Sequence, residues 1–482
     1  MSVGIEDRPE VAEGLARELQ GSMRGRVIAP TDSEYDQARA VYNRMIDRYP
    51  QMIARCSGVA DVMACVKFAR RHGLLVSVRG GGHSVSGKAV CDGGLVIDLS
   101  EMNAVRVNPV RRTARAEGGA TWRDFDHETF VFGLATTGGA ISTTGIVGLT
   151  LGGGIGWLMR KHGLSCDNLL SVELVTAEGE LVTASETENP ELFWAIRGAG
   201  SNFGVVTSFE YRLHPIPDQI LAGPLLYSGD KAADLLRFYG EFSETEPDAM
   251  VSFMIFFNAP PWAALPQRLY GQPMVGIAVA YSGPFEEAKE AFKPLRETVR
   301  PEVDLIAPTR YPVLQSASDD DWRPGLLNYW KPEFLGSMSH DLAETIADHV
   351  GRFVQPVLDA PDAVSAQPIN CIEIGHMGGA VSRVPEESTA FSHRDADYLV
   401  NITAVWTDPA ETDRLVSWTR DFSQALQPFA AGPYVNYFSD DGEDRLRAAY
   451  GPEKYERLGE IKAKYDPTNF FIHNQNIKPK TT

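Results

Sequence analysis

Three groups of residues in this 482-residue chain are of types and spacings that can do chemistry. The first is His83, set directly after three glycines in Arg79-Gly80-Gly81-Gly82-His83-Ser84. Glycine backbone offers no side chains to pack around an imidazole, so this is a poor place for a core histidine and a good one for a ligand-facing histidine. A histidine in a loop is otherwise ordinarily a solvated surface residue. The second is TTGGAISTTGIVGLTLGGGIG, from Thr136 to Gly156, richer in glycine and threonine than a packed element tolerates. Glycines reach positive φ and let main-chain N–H groups approach a ligand closely, and Ser or Thr hydroxyls add donors, so a pyrophosphate is a natural occupant. Tight turns are the ordinary alternative. Neither G-x-G-x-x-G after a strand nor G-x-x-x-x-G-K-[ST] is present, which sets aside the dinucleotide fingerprint and the P-loop. The third is Cys166 in GLSCDNL, which by itself reads as an inert buried thiol.

The elements that must position these groups are legible around them. Ser57 is placed to cap a helix over Val59 to His72, with Val62, Val66 and Ala69 on one face and Gly73 as its stop. The strand LLVSV then runs into the glycine turn before His83, and GGLVIDLS follows as the next strand. VELVTA and LVTAS around Glu178-Gly179 read as a hairpin, and ELFWAIRGAGSNFGVVTSFEYRLHPI as helix, glycine loop and strand. This lobe closes near Pro215-Ile216-Pro217. From 218 to 430 alternating runs (250–257, 274–281, 397–406) are separated by helical stretches such as AETIADHVGRFV, the pattern of an antiparallel sheet covered by helices. The fold class is therefore α+β.

The length exceeds one ordinary core, and 43% apolar residues supply two. A formal charge of -19 leaves no basic stripe to release counterions, which excludes a nucleic-acid partner. The five cysteines, Cys56, Cys65, Cys91, Cys166 and Cys371, are odd in number and scattered, so neither a disulfide framework nor a metal site is expected. The N-terminal residues MSVGIEDRPEVAEGLARELQ do not resemble a secretory leader and no window is apolar enough to span a membrane, so a cytoplasmic protein is expected.

Taken together, VSVRGGGHS, LTLGGGIGWLMRKHGLSCDNLLSVELVTAEGE, LFWAIRGAGSNFGVVTSFEYRL and the terminal YDPTNFFIHNQNIKP resemble the berberine-bridge-enzyme-like branch of the vanillyl-alcohol-oxidase flavoproteins, from about residue 45 to the C-terminus. The resemblance implies a two-lobed FAD-binding domain, residues 1–217 completed by 431–482, with a substrate domain inserted at 218–430. It implies FAD bonded to both His83 and Cys166; members without the cysteine are singly tethered. The expected cofactor-binding residues are Arg79, Gly80, Gly81, Gly82, His83, Ser84, Gly138, Thr144, Gly145, Gly148, Gly154, Cys166, Asn168, Gly204, Val206, Tyr434, Asn436 and Asn474. The last of these lies in a segment resembling the family's return strand.

In GPYVNYFSD the resemblance makes Tyr437 the catalytic base, which requires positive charge or donors nearby, because a phenol near pKa 10 is a poor base at neutral pH. Core tyrosines are the ordinary reading of such a pair. Along NCIEIGHMGG, Ile372 and Ile374 alternate with Glu373, so if the isoleucines face the covering helices Glu373 faces the cavity as a partner of substrate or Tyr437. A salt-bridged or exposed carboxylate is the alternative. His376 falls on the isoleucine face and is assigned a structural role. The implied reaction oxidises an alcohol or amine of a small molecule to a carbonyl or imine, with oxygen reduced to hydrogen peroxide. A flavin dehydrogenase with another acceptor, and a flavin-binding protein without turnover, are the competing readings.

Overall fold

The computed structural model describes residues 9–352 and 370–481. The last residues of AETIADHVGRFV, from 353 on, and the first eight of the N-terminal stretch lie outside the described residues. Two sheets flank the glycine-rich segments. In the first, strands run in the order Arg26–Ile28, Met52–Arg55, Leu95–Asp98, Val76–Arg79, the first pair antiparallel and the others parallel. The parallel strands are buried and apolar, as strands covered on both faces must be. The helix Val59–His72 supplies the cover with Val62, Cys65, Val66, Phe68 and Ala69 and stops at Gly73, whose φ of 62° is a glycine conformation. Ser57 does not cap it. The Asp61 carboxylate accepts from the main-chain N–H groups of Arg24, Gly25 and Ser57 and from the Ser57 hydroxyl. A carboxylate here satisfies three otherwise unpaired amides at once, which a serine hydroxyl cannot.

The second sheet is antiparallel, in the order Val105–Asn108, Thr113–Glu117, Val205–Arg212, Leu169–Val175, Leu181–Ser185. Its last two strands are the expected hairpin, with Gly179 at φ 73° in the turn. The third sheet has nine strands among the described residues. Its path is Val303–Asp304, Ile220–Ser228, Pro273–Tyr281, Met250–Asn258, Cys371–His376, Tyr398–Trp406, Leu327–Leu335, Ala430–Gly432, with Ala307–Thr309 also paired to Ile220–Ser228. Every pairing in it is antiparallel.

The helices Ala232–Ser243, Phe285–Glu297, His340–Gly351 and Thr412–Leu426 cover one face of this sheet, burying Leu235, Phe292, Ile346 and Phe422 against Ile372, Ile374, Val400 and Ile402. The alternation of side chains along a strand leaves Glu373, Asn401 and Thr403 on the other face. That face looks towards the glycine segments. The C-terminal segment is not a strand. It runs as irregular chain from Phe470 onward, with Ile477 N–H donating to Asn202 Oδ1 and Asn474 Nδ2 donating to Ser201 O.

Candidate active site

One long cavity runs from the first sheet to the exposed face of the third. One end is built of backbone: Gly80, Gly81, Gly82, Thr144, Gly145, Gly148, Gly204 and Val206 line it, together with His83, Ser84 and Asn474. The glycines are required here by close approach. A Cβ on Gly81 would lie 2.5 Å from Gly145 N, and one on Gly145 2.4 Å from Gly81 N, so the two loops touch through backbone alone. At Gly148 a Cβ would meet nothing within 4 Å, because that position opens into the cavity.

His83 stacks on Tyr42, the rings 3.9 Å apart and 18° from parallel. Its Nε2 is buried without a hydrogen-bond partner among the described residues. Burial holds the imidazole near pKa 4, so it is neutral at physiological pH. A neutral, unpartnered ring nitrogen facing a cavity is suited to a covalent bond with a ligand. Asn474 Oδ1 and Thr143 Oγ1 are likewise buried and unpartnered.

Several expected cofactor residues stand behind this wall instead of on it. Arg79 donates to Ala38 O over 2.5 Å. Asn168 donates to His162 O and Leu164 O and bonds to His214, bracing the turn before its strand. Gly138 lets the Trp122 ring approach, where a Cβ would fall 2.6 Å from that ring. The Tyr434 hydroxyl accepts from Gly154 N–H at 3.0 Å and from Asn436 Nδ2 at 2.7 Å, which clamps the C-terminal segment to the glycine run. Gly154 takes φ 95° to make that approach. Asn436 does reach the cavity and also donates to Leu149 O. Cys166 is not brought to the cavity wall: it is fully buried among Met159, Leu164, Phe253 and Tyr434, with Sγ 3.7 Å from Asp167 Oδ1. Burial and then the Asp167 charge push its thiol up, away from thiolate.

The other end of the cavity is built of side chains. Glu373 has no hydrogen-bond partner among the described residues, and burial pushes its carboxyl up to about 7. Asn401 lies directly across the strand pair from Glu373, and its Oδ1 is buried and unpartnered, as is Thr403 Oγ1 two residues on. Tyr437 packs edge-on to Trp330 at 5.5 Å and to Tyr434 at 5.0 Å. The positive charge that a base at Tyr437 requires is not found among the described residues. Burial, then the charge of Glu373, hold the phenol well above its usual range, and no cation among the described residues offsets them. His376 turns the other way, as expected: Nδ1 lies 2.5 Å from Glu246 Oε2 and Nε2 3.4 Å from Arg160 Nη1.

Sequence reasoning missed Tyr42, Trp322, Asn401, Thr403 and Lys88, all of which stack on or line the site. Asn401 and Thr403 carry a signal in retrospect, as polar residues at alternate places in an otherwise apolar strand, YLVNITAVW. Tyr42 carries none, since it reaches His83 only through the packing of two distant segments.

The glycine-walled end, with an unpartnered buried imidazole beside it, fits FAD, and together with a side-chain-built end on an antiparallel sheet it defines an FAD-dependent oxidoreductase. Residues 50–185 match the family described as FAD binding domain, and residues 433–478 that described as Berberine and berberine like. The chain is 33% identical over 471 residues to (R)-6-hydroxynicotine oxidase of Paenarthrobacter nicotinovorans, an alignment covering 95% of this chain and 98% of the relative. It is 32% identical over 471 residues to an FAD-linked oxidoreductase of Dictyostelium discoideum, with 97% and 98% covered. The crystal structure of 6-hydroxy-D-nicotine oxidase from Arthrobacter nicotinovorans superposes with a TM-score of 0.85 at 33% identity, covering 95% of this chain and 99% of that one. The chain belongs to the berberine-bridge-enzyme-like family of FAD-linked oxidoreductases. No helix among the described residues is long and apolar enough to cross a membrane.

Proposed function

We propose that this enzyme is an oxidase of an alcohol or amine carbon in a small molecule, with FAD tethered through His83 alone and Glu373 as the proton acceptor. The observation that carries the reading is that the unpartnered imidazole of His83 and the unpartnered carboxyl of Glu373 open onto one cavity. Residues 1–217 and 431–482 are assigned to the cofactor domain and 218–430 to the substrate domain. Gly81 and Gly145 would carry the backbone face along the cofactor, with Ser84, Thr144 and Asn474 supplying polar groups. The position of Cys166 outside the cavity lining supports one tether over two.

FAD held along the glycine wall and at His83 would supply hydride acceptance from the substrate carbon and electron transfer to oxygen, with hydrogen peroxide as the by-product. Glu373 takes the proton from the adjacent O–H or N–H, since a carboxyl near pKa 7 divides between acid and base at working pH, the condition for efficient general-base catalysis. Tyr437, kept protonated by its surroundings, donates or relays through its hydroxyl. Asn401 and Thr403 orient the substrate. The aromatic walls Phe253, Trp322, Trp330 and Tyr437 exclude water and accept an apolar or planar body. The relative named for 6-hydroxynicotine makes an N-heterocyclic amine the first compound to try. Free, buried cysteines fit a reducing cytoplasm.

The test is anaerobic mixing with a panel of heterocyclic amines, alcohols and sugars, watching flavin absorbance and then admitting air. Bleaching followed by recovery with peroxide is the expected result. Bleaching without recovery would make it a dehydrogenase, and a bound flavin that no compound in any class bleaches would favour a binding protein without turnover.

A further inference from the structure

The aromatic wall at the substrate end is not self-supporting. Trp330 sits on the sheet strand Leu327–Leu335, but Trp322, which meets it edge-on at 5.6 Å and 84°, belongs to the connection before that strand. This connection, from the short helix Tyr311–Gln315 to Trp322, is laid across the cofactor lobe. Tyr311 and Leu314 pack it against Phe130, and two polar attachments are added to that contact. Gln315, fully buried, donates to Asp126 Oδ2 on the helix Trp122–Phe130. Asp319 does more: Oδ1 accepts from Ser142 N–H at 2.9 Å, and Oδ2 accepts from Ser142 Oγ at 2.6 Å and from Arg123 at 2.8 Å.

Three donors converge on one carboxylate that is 11% exposed, and hydrogen bonds to a charged, shielded group are the strong ones. Ser142 lies in the segment whose neighbours Ile141 and Thr144 line the cofactor end of the cavity. From Asp319 the chain turns back through Trp322 N–H donating to Ser318 O, which delivers the indole to the cavity. Asp319 touches neither end of the cavity, yet fixes a wall of one to a loop of the other. The rings of Trp322 and Tyr437 each meet Trp330 at near right angles, and all three line the cavity, so this end presents aromatic faces and edges to whatever enters.

We propose that residues 311–322 are a specificity strap, and that Asp319 is the positioning residue that holds Trp322 in place so that the substrate end selects aromatic substrates. This rests on reading that end as the substrate site, but its test needs no turnover. The primary measurement is hydrogen exchange on the flavin-loaded enzyme. Asp319→Ala is expected to speed exchange of the amides of 316–325 by at least ~10-fold, the scale of losing hydrogen bonds to a charged group. Asp319→Asn, which keeps an acceptor for Ser142 N–H, is expected to restore most of the protection. Unchanged exchange in Asp319→Ala overturns the strap.

The second measurement titrates phenol and cyclohexanol against flavin absorbance. Wild type is expected to favour phenol by ~10-fold or more, an increment of the size of aromatic ring contacts. Asp319→Ala, Trp322→Ala and the double variant are expected to lose that preference to the same extent, since Asp319 acts through Trp322 and the two effects do not add. Wild type without a preference, or an additive double variant, overturns the positioning role. Should the substrate panel fail to bleach the flavin while exchange and phenol preference behave as stated, the oxidase reading fails and the strap stands.

Discussion

The two ends of the cavity are made by different means. The cofactor end is backbone against backbone, with Gly81 and Gly145 so close that neither tolerates a Cβ. The substrate end is a sheet face carrying side chains, where Glu373, Asn401 and Thr403 project from paired strands whose main-chain ladder does not depend on those side chains. The lesson is that the first end is specified by what the backbone must do and the second only by which side chains project. Substitutions at the first should fail as all-or-none losses of cofactor. At the second they should change rates and pH profiles in a folded, yellow protein.

The largest contrast should come from Gly81→Val. A branched side chain driven into Gly145 forces the two loops apart, at about 3 kcal/mol or more for overpacking that cannot relax. Purified protein is expected to lack flavin absorbance, whereas Thr403→Val at the other end keeps it. Equal flavin content in the two would break the comparison.

Next is His83→Ala, whose flavin should pass into the supernatant on acid precipitation while wild type and Cys166→Ala keep it in the pellet. Colour released from Cys166→Ala would restore the second tether, against the placement of that thiol outside the cavity lining.

At the substrate end, Glu373→Gln is expected to slow flavin reduction ~100-fold, the usual scale for a lost general base. Wild-type reduction should rise with pH through about 7, where the carboxyl ionises, and the variant should lose that inflection. Tyr437→Phe should slow reduction without removing it, since its phenol does not ionise in this range. An inflection that persists in Glu373→Gln but vanishes in Tyr437→Phe would return the base to tyrosine.

The same carboxyl makes a smaller mark on stability. Its folded pKa is raised from the ordinary 4.5 to about 7, so its favourable protonated state is fully present below about 4.5 and its contribution is lost as pH rises towards and through 7. Denaturant unfolding of wild type against Glu373→Gln should diverge over that window, with the variant losing less. The smallest effect is Tyr434→Phe, which leaves the buried Gly154 N–H without its acceptor for about 1–3 kcal/mol and leaves the flavin in place.

Much of this was open to inspection in the amino-acid order. The alternation of Ile372, Glu373 and Ile374 assigned the two faces of one strand correctly, because strand geometry is local and its period is two. The helix ending at Gly73 and the hairpin at Gly179 are legible for the same reason: a positive φ is a demand made on a single residue. Ser57 misled because the competing carboxylate, Asp61, collects amides from a separate segment at Arg24 and Gly25. Tyr434 and Asn168 sit in the right stretches but bond to backbone behind the wall, a difference of side-chain direction that spacing does not encode.

By itself, the order of residues determined that glycine-rich segments are present and that one of them runs into a histidine, that an α+β chain carries an antiparallel sheet, and that the family is one of FAD-linked oxidoreductases. Those are properties of local backbone geometry and of motifs within short stretches. Only the tertiary structure decided that Cys166 is buried in an apolar cluster behind the cavity lining, that Tyr42 stacks on His83, that burial raises the Glu373 carboxyl to about 7 and the Tyr437 phenol well above its usual range, and that Asp319 ties the connection before Leu327–Leu335 to the loop at Ser142. Each of these depends on burial or on contact between segments far apart in the chain, and both are set by packing.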